Sequence, residues 1–313
     1  MNCMTRTDKS AIEAKDMYKR FGKKNALSGM SFRVPDGTVS GFLGPNGAGK
    51  TTALRLLLGL MSADSGEMSL LGVPMPQNRT EVMDKLGVLV ESPSFIETMS
   101  GFDNLWWFGS LVKPVEKKRL DEVLEIVGLS DAAGRAFGTY STGMKQRLGV
   151  AFSIIHNPKL LILDEPTNGM DPQGRAQMRD IFKNIHSAYS TTIFLSSHLL
   201  DEIQRLCDFV VIVDSGIMIR QGYVKDLLSS ECDVVELRIN ENQVSRALEI
   251  MKNHPEVLTN EVLPRGLKVS VKTGWTPELN RILVTSGILI SAMIPIEASL
   301  EETFLKLTDS NGA

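Results

Sequence analysis

Eight residues, Gly44-Pro45-Asn46-Gly47-Ala48-Gly49-Lys50-Thr51, constrain this chain more than any other feature. They sit between an apolar run, Thr38 to Leu43, and an amphipathic stretch, Thr51 to Met61, which together read as strand, glycine loop and helix in series. Glycines in such a loop let successive backbone N–H groups turn inward as an anion nest, and the helix that follows presents the positive end of its dipole. Lys50 can then reach β- and γ-phosphates, the Thr51 hydroxyl suits Mg²⁺, and Thr52 completes the phosphate-binding stretch. The alternative, a glycine turn with a surface lysine, leaves the flanking strand and helix unexplained.

Four more apolar runs, Leu86 to Val90, Leu160 to Leu163, Thr192 to Leu195 and Phe209 to Val213, alternate with helical patterns, as in a parallel sheet covered on both faces. Lys159-Leu-Leu-Ile-Leu-Asp164-Glu165 ends one of them in two carboxylates. An unpartnered acid buried there costs several kcal/mol, so a metal is the expected partner. Asp164 is placed to hold Mg²⁺, and Glu165, one residue on, to orient or deprotonate an attacking water. A strand-end acidic turn without chemistry is the competing reading. Ser196-Ser197-His198 ends another strand; alone, such a histidine is more often a core residue, but beside the two motifs it becomes a candidate γ-phosphate sensor that steadies Glu165. His156, His186 and His254 lack that company and read as structural or exposed. Gly44, Glu91, Asp164 and His198 each lie just past the carboxyl end of an expected parallel strand, where open α/β sheets bind ligands.

Composition narrows the class. The 313 residues suit one large domain and an appendage, and 42% hydrophobic with 23% charged residues suits a globular chain. A net charge of −3 argues against a protein that neutralises nucleic-acid phosphates. No apolar run approaches the roughly 20 residues of a membrane-spanning helix, and the polar start lacks a signal-like segment, so a cytoplasmic location is expected. Cys3, Cys207 and Cys232 are far apart and odd in number, which suits packing or surface thiols.

Near residue 230 the texture changes. From Cys232 on, strand (Val234 to Ile239), helix (Gln243 to Lys252), strand (Val257 to Leu263), strand (Leu267 to Thr273), helix (Pro277 to Thr285) and strand (Ile288 to Ile294) follow the ferredoxin-like order. A last helix starts at a capping box, Ser299 with Glu302, ahead of Phe304, Leu305 and Leu307. The whole net charge of −3 falls in this tail.

Tyr140-Ser141-Thr142-Gly143-Met144-Lys145-Gln146-Arg147 lies between the glycine loop and the Asp-Glu strand. It resembles the signature motif of ATP-binding cassette (ABC) ATPases, usually Leu-Ser-Gly-Gly-Gln, and no Asn-Lys-x-Asp guanine motif accompanies it. The resemblance spans about residues 10 to 225. It implies that Phe21 stacks on adenine, that Gly169-Met170-Asp171 is the loop crossing to a partner subunit, that His198 is the switch histidine, and that Ser141 and Gly143 touch the γ-phosphate of the opposing site. Thr142 and Met144 depart from the motif's usual glycine and glutamine. Glu91 stands where most of the family has a glutamine that contacts Mg²⁺ and the transport subunit. With the Ser-x-Gly-Met-Lys signature it resembles the ATPases of bacitracin-resistance and lantibiotic-immunity exporters; an exposed loop acid is the alternative.

The fold so implied is a phosphate-loop α/β ATPase with a mostly parallel sheet, an antiparallel β subdomain and a helical subdomain at about 92–155. The cassette occupies 1–228, and an accessory α+β domain occupies 232–313. The function implied is that of the Mg-ATP-hydrolysing subunit of a bacterial exporter of a drug or peptide antibiotic. A second cassette, expected in a homodimer, and a membrane permease are then other chains, and contact with the membrane's inner face runs through the permease. Trp106 and Trp107 fall on the helical insertion that in the family receives the permease; packing and partner anchoring both stay open. Adjacent indoles on a helix point in different directions, so unequal burial is expected. Two other classes are a soluble ABC regulator of translation or DNA repair, and a nucleotide sensor without turnover. The single cassette, the lack of long coiled coils and the intact Lys50, Asp164, Glu165 and His198 count against them.

Overall fold

Each of the five apolar runs forms a strand, and all five lie in one sheet. The computed structural model describes residues 9–91, 93–228, 232–296 and 300–301. In chain order it begins with β1 (Ser10–Phe21), β2 (Lys24–Pro35), β3 (Val39–Leu43) and α1 (Lys50–Leu57). Next come β4 (Ser65–Leu70), β5 (Val73–Met75), β6 (Leu86–Leu89), α2 (Gly101–Ser110), α3 (Lys117–Ile126) and α4 (Thr142–Ile154). Then follow β7 (Leu160–Leu163), α5 (Pro172–Tyr189), β8 (Thr192–Ser197), α6 (Leu200–Leu206), β9 (Phe209–Asp214) and β10 (Ile217–Tyr223). The contacts divide the chain into two units between Val224 and Lys225.

In the first unit the main sheet runs β10-β9-β3-β8-β7-β6, parallel throughout except for β10 against β9. Both faces are covered, so β3, β7 and β8 are buried along their whole length, which is why they read as unbroken apolar runs. A second sheet, β2-β1-β4-β5, is antiparallel. Phe32 of β2 joins Phe42 of β3 and Phe194 of β8, with ring centroids 5.2 to 6.0 Å apart, in one core spanning both sheets. Helix α1 is shorter than its apolar pattern: it stops at Leu57 because Gly59 takes a left-handed φ of 64°.

Helix α2 corrects the expectation about the indoles, since Trp106 and Trp107 are each 49% exposed. The helix buries Gly101, Asn104, Leu105 and Gly109. At about 100° per residue, positions 106 and 107 straddle the opposite, outward direction, so neither indole is favoured for burial.

α7 (Val224–Leu228) begins at the last residue of the first unit, and the second unit continues with β11 (Cys232–Ile239), α8 (Glu241–Lys252), β12 (Val257–Leu263), β13 (Gly266–Lys272), α9 (Thr276–Thr285) and β14 (Ile290–Pro295). Its antiparallel sheet has the order β12-β13-β11-β14, the split arrangement of the ferredoxin-like order. Alternate residues Val235, Leu237 and Ile239 of β11 and Leu267, Val269 and Val271 of β13 join Ala247 and Met251 of α8 and Leu279 and Leu283 of α9 in a core of their own. Ser299, Glu302, Phe304, Leu305 and Leu307 of the expected last helix, and Cys3, lie outside the described residues.

Cys207, at the end of α6, is 7% exposed, and its Sγ lies close to Gly41 of β3. Burial, reinforced by the Asp208 charge, pushes its thiol well above the ordinary range, so little thiolate forms near neutral pH. A maleimide should therefore leave Cys207 unmodified in the native chain and label it only after unfolding. Peptide mapping that finds Cys207 labelled under native conditions contradicts this packing.

Candidate functional site

The glycine loop turns at the carboxyl end of β3. Gly49, the residue before α1, has φ 99°, and a Cβ there would lie 2.7 Å from the Ala26 carbonyl oxygen, so only glycine fits. Gly44 is equally confined: a Cβ would meet the Val213 oxygen at 2.3 Å. Lys50 opens α1 with its ammonium buried, donating to the Gly44 carbonyl at 2.7 Å and the Pro45 carbonyl at 3.3 Å, and lying 3.3 Å from Glu165 Oε1. The ammonium thus has two carbonyl acceptors and one ion-pair partner.

The next residue, Thr51, donates to Asp164 Oδ2 at 2.7 Å. Asp164 closes β7, and its other oxygen accepts from Ser196 Oγ of β8 at 2.5 Å. Ser196 Oγ in turn accepts from the Glu165 backbone N–H at 2.8 Å. Glu165 has a left-handed φ of 47°, a conformation costing a non-glycine residue roughly 1 kcal/mol or more. The Ser196 bond, the Lys50 ion pair and a 2.8 Å contact from Oε2 to His198 Nδ1 hold it there. Asp164, Glu165 and His198 thus meet because β7 and β8 are parallel neighbours whose carboxyl ends open on the same edge.

Phe21, Asn46, Gly47, Gly49, Lys50, Thr51, Thr52, Glu165 and His198 line one cavity of about 480 Å³. Phe21 is 48% exposed, with the Lys19 ammonium 5.7 Å from its ring centroid. Lys24 and Asn168 line the same cavity and were not singled out from the sequence. Lys24 could have been: it is a cation two residues from the turn at Gly22. Among the described residues no cluster of three or more His, Cys, Asp or Glu could hold a metal ion. Thr51 and Asp164 offer instead one hydroxyl and one nearly buried carboxylate, a hard-oxygen donor set that fits Mg²⁺, which keeps positions for phosphate oxygens and water.

Four of the sequence-derived site residues, Ser141, Gly143, Asp171 and Glu91, lie elsewhere. Ser141 caps α4, its Oγ accepting from the Met144 N–H at 3.3 Å, and Asp171 caps α5, its carboxylate accepting from Gly174 at 2.7 Å. Ser141, Gly143, Gly169 and Asp171 line a second cavity of about 500 Å³. Glu91 follows β6 with φ 69° and does not join Thr51 and Asp164; its exposed carboxylate pairs with the guanidinium of Arg55, one turn along α1 from Thr51.

Set beside known proteins, residues 27–168 match the ABC transporter family. Over 300 residues the chain is 36% identical to the ABC transporter ATP-binding protein YhcH of Bacillus subtilis (strain 168), covering 96% of each chain. It is likewise 36% identical over 297 residues to the bacitracin transport ATP-binding protein BcrA of Bacillus licheniformis, covering 95% of this chain and 96% of BcrA. Among solved structures, cbiO1 of Clostridium perfringens, part of the ABC transporter complex cbiONQ, superposes with a TM-score of 0.64 at 24% identity, covering 79% of this chain and 97% of cbiO1. A dimeric ATP-binding cassette bound to ADP and Pi superposes with a TM-score of 0.61 at 19% identity, covering 68% and 98% of the two chains. The glycine loop, the Asp164–Glu165 strand end and the likeness along nearly the full length agree, and the chain belongs to the ABC transporter family as an ATP-binding, ATP-hydrolysing subunit.

Proposed function

We propose that this subunit powers export of a peptide antibiotic or related drug through a membrane permease carried on another chain. The supporting observation is the likeness to BcrA, whose name states bacitracin transport and which matches the accessory region as well as the cassette. Residues 1–228 are read as the cassette, with its helical subdomain at about 92–155, and 232–313 as the accessory domain. The subunit then sits at the inner face of the membrane, held by its permease. No helix among the described residues is long and apolar enough to cross a membrane.

Gly44 through Thr52 hold the phosphates, with Lys50 turning from its loop carbonyls toward the β- and γ-oxygens. Thr51 and Asp164 hold Mg²⁺, which when bound neutralises phosphate charge. Glu165, fixed by Ser196 and His198, takes the proton of the attacking water, and His198 holds Glu165 in line and senses the γ-phosphate. Phe21 supplies the face for adenine. Ser141, Gly143 and Asp171 serve the opposing nucleotide in a pair of identical cassettes, a reading supported by their separate cavity and by the dimeric cassette of similar fold.

Glu91 offers the test of coupling. An ionised carboxylate accepts from Arg55 and cannot donate as glutamine does. With the permease in membranes, Glu91→Gln should keep ATP binding and alter stimulated hydrolysis or bacitracin resistance by about 5- to 150-fold, with Glu91→Ala worse for resistance. Equal resistance across all three forms removes Glu91 from coupling, and no resistance from the wild type with its permease refutes peptide-antibiotic export.

A further inference from the structure

We infer that Glu202 is a positioning residue for hydrolysis, tying the Glu165–His198 pair to the loop that carries Asp171; the inference rests on the ATPase reading above. Three segments leave the sheet's carboxyl edge close together. The turn after β7 carries Glu165 and Thr167, the loop into α5 carries Gly169 to Asp171 and then Arg175, and the turn after β8 carries His198 and leads into α6 with Glu202.

One carboxylate touches all three. Glu202 Oε2 accepts from Thr167 Oγ1 at 2.8 Å, and Oε1 lies 3.2 Å from Arg175 Nε. The Glu202 side chain is only 13% exposed. Among the described residues its Oε1 is buried with no aligned hydrogen bond, and the Arg175 guanidinium is its charge partner. A buried acid held this way is costly to keep, and an ion pair of this kind is weak evidence for stability in itself. Its placement explains it better.

Each arm is anchored to a site segment. The Asn168 N–H donates to the Glu165 carbonyl at 3.0 Å and the Met170 N–H to the Thr167 carbonyl at 3.2 Å, so Thr167 belongs to the turn that holds Glu165. The Arg175 N–H donates to the Asp171 carbonyl at 3.0 Å, in the first turn of α5. Glu202 stands four residues past His198, in the first turn of α6. Remove the carboxylate and α6, with the histidine at its entrance, loses its tie to both other segments. None of the three groups lines the cavity of the glycine loop. Loss of the tie should therefore slow the chemical step and leave ATP affinity alone.

The test is steady-state Mg-ATPase activity of the full chain for wild type, Glu202→Ala, Glu202→Gln, Arg175→Met, His198→Ala and the pairs Glu202→Gln/Arg175→Met and Glu202→Ala/His198→Ala. For Glu202→Ala, kcat is expected to fall about 10- to 100-fold, the effect of a displacement near 1 Å in a catalytic group, with KM for ATP within about 2-fold of wild type. Glu202→Gln, which still accepts from Thr167 but carries no charge for Arg175, should lie between. Residues acting through one network are not additive, so Arg175→Met should add little to Glu202→Gln, and Glu202→Ala little to His198→Ala. Near-isosteric Glu202→Gln carries the same test if the alanine form does not fold. A silent wild type refutes the ATPase reading. An active wild type matched by both Glu202 variants, a KM that rises in step with the loss, or full additivity with His198→Ala overturns the role of Glu202.

Discussion

Glu165→Gln is expected to lower ATP turnover by about 10²- to 10⁴-fold, the usual worth of a general base, while the nucleotide stays bound. The amide has nearly the shape of the carboxylate and can still meet His198, but it cannot accept the proton of an attacking water. Asp164 and Thr51, the hydrogen-bonded pair proposed to hold Mg²⁺, are untouched. Unhydrolysed ATP should then hold two cassettes together, and the variant should elute as a dimer on size-exclusion chromatography only when Mg-ATP is present. A Glu165→Gln protein as active as the wild type takes Glu165 out of water activation.

Lys50→Ala should do something different, weakening ATP binding and turnover together. The ammonium is the proposed phosphate ligand and, before that, the donor to Gly44 O and Pro45 O and the ion-pair partner of Glu165. Its removal leaves two carbonyls and a carboxylate without their partner, so folded stability should also fall by about 1–3 kcal/mol. Titration with a fluorescent ATP analogue should show affinity lost by at least about 10-fold, equivalent to ~1.4 kcal/mol, and thermal unfolding should begin earlier. Wild-type affinity with lost turnover would instead place Lys50 in the chemical step alone.

The contrast between these two substitutions shows what was legible in the sequence. Lys50, Thr51, Asp164, Glu165 and His198 could be read because each sits within a few residues of a strand end, and strands buried on both faces announce themselves as unbroken apolar runs. Ser196 was visible beside His198, yet nothing local said that its hydroxyl would bridge Asp164 and the Glu165 N–H, 32 and 31 residues away. Separations of 36 and 35 residues likewise hid Arg55 from Glu91 and Glu202 from Thr167. Individual strands of the antiparallel sheet were invisible for another reason. β1 is shifted in register against β2 at several points and holds Asp16 at φ 48°, so its inward and outward residues do not alternate cleanly. The two indoles misled because direction on a helix was taken for depth: both can diverge and remain equally near the surface.

The 3.3 Å contact between Lys50 and Glu165 makes the protein its own competitor for the ammonium. A carboxylate held in place acts as an intramolecular ligand at high effective concentration, and incoming phosphate oxygens must displace it. The measured affinity for ATP is then a difference between two attractions, and neutralising the internal rival shifts the balance toward nucleotide. Glu165→Gln should bind ATP more tightly than the wild type even before any gain from blocked hydrolysis. With Glu165 as the proposed base, the carboxylate would be set free for water only once phosphate had claimed the lysine, making occupancy of the site and readiness of its base one event.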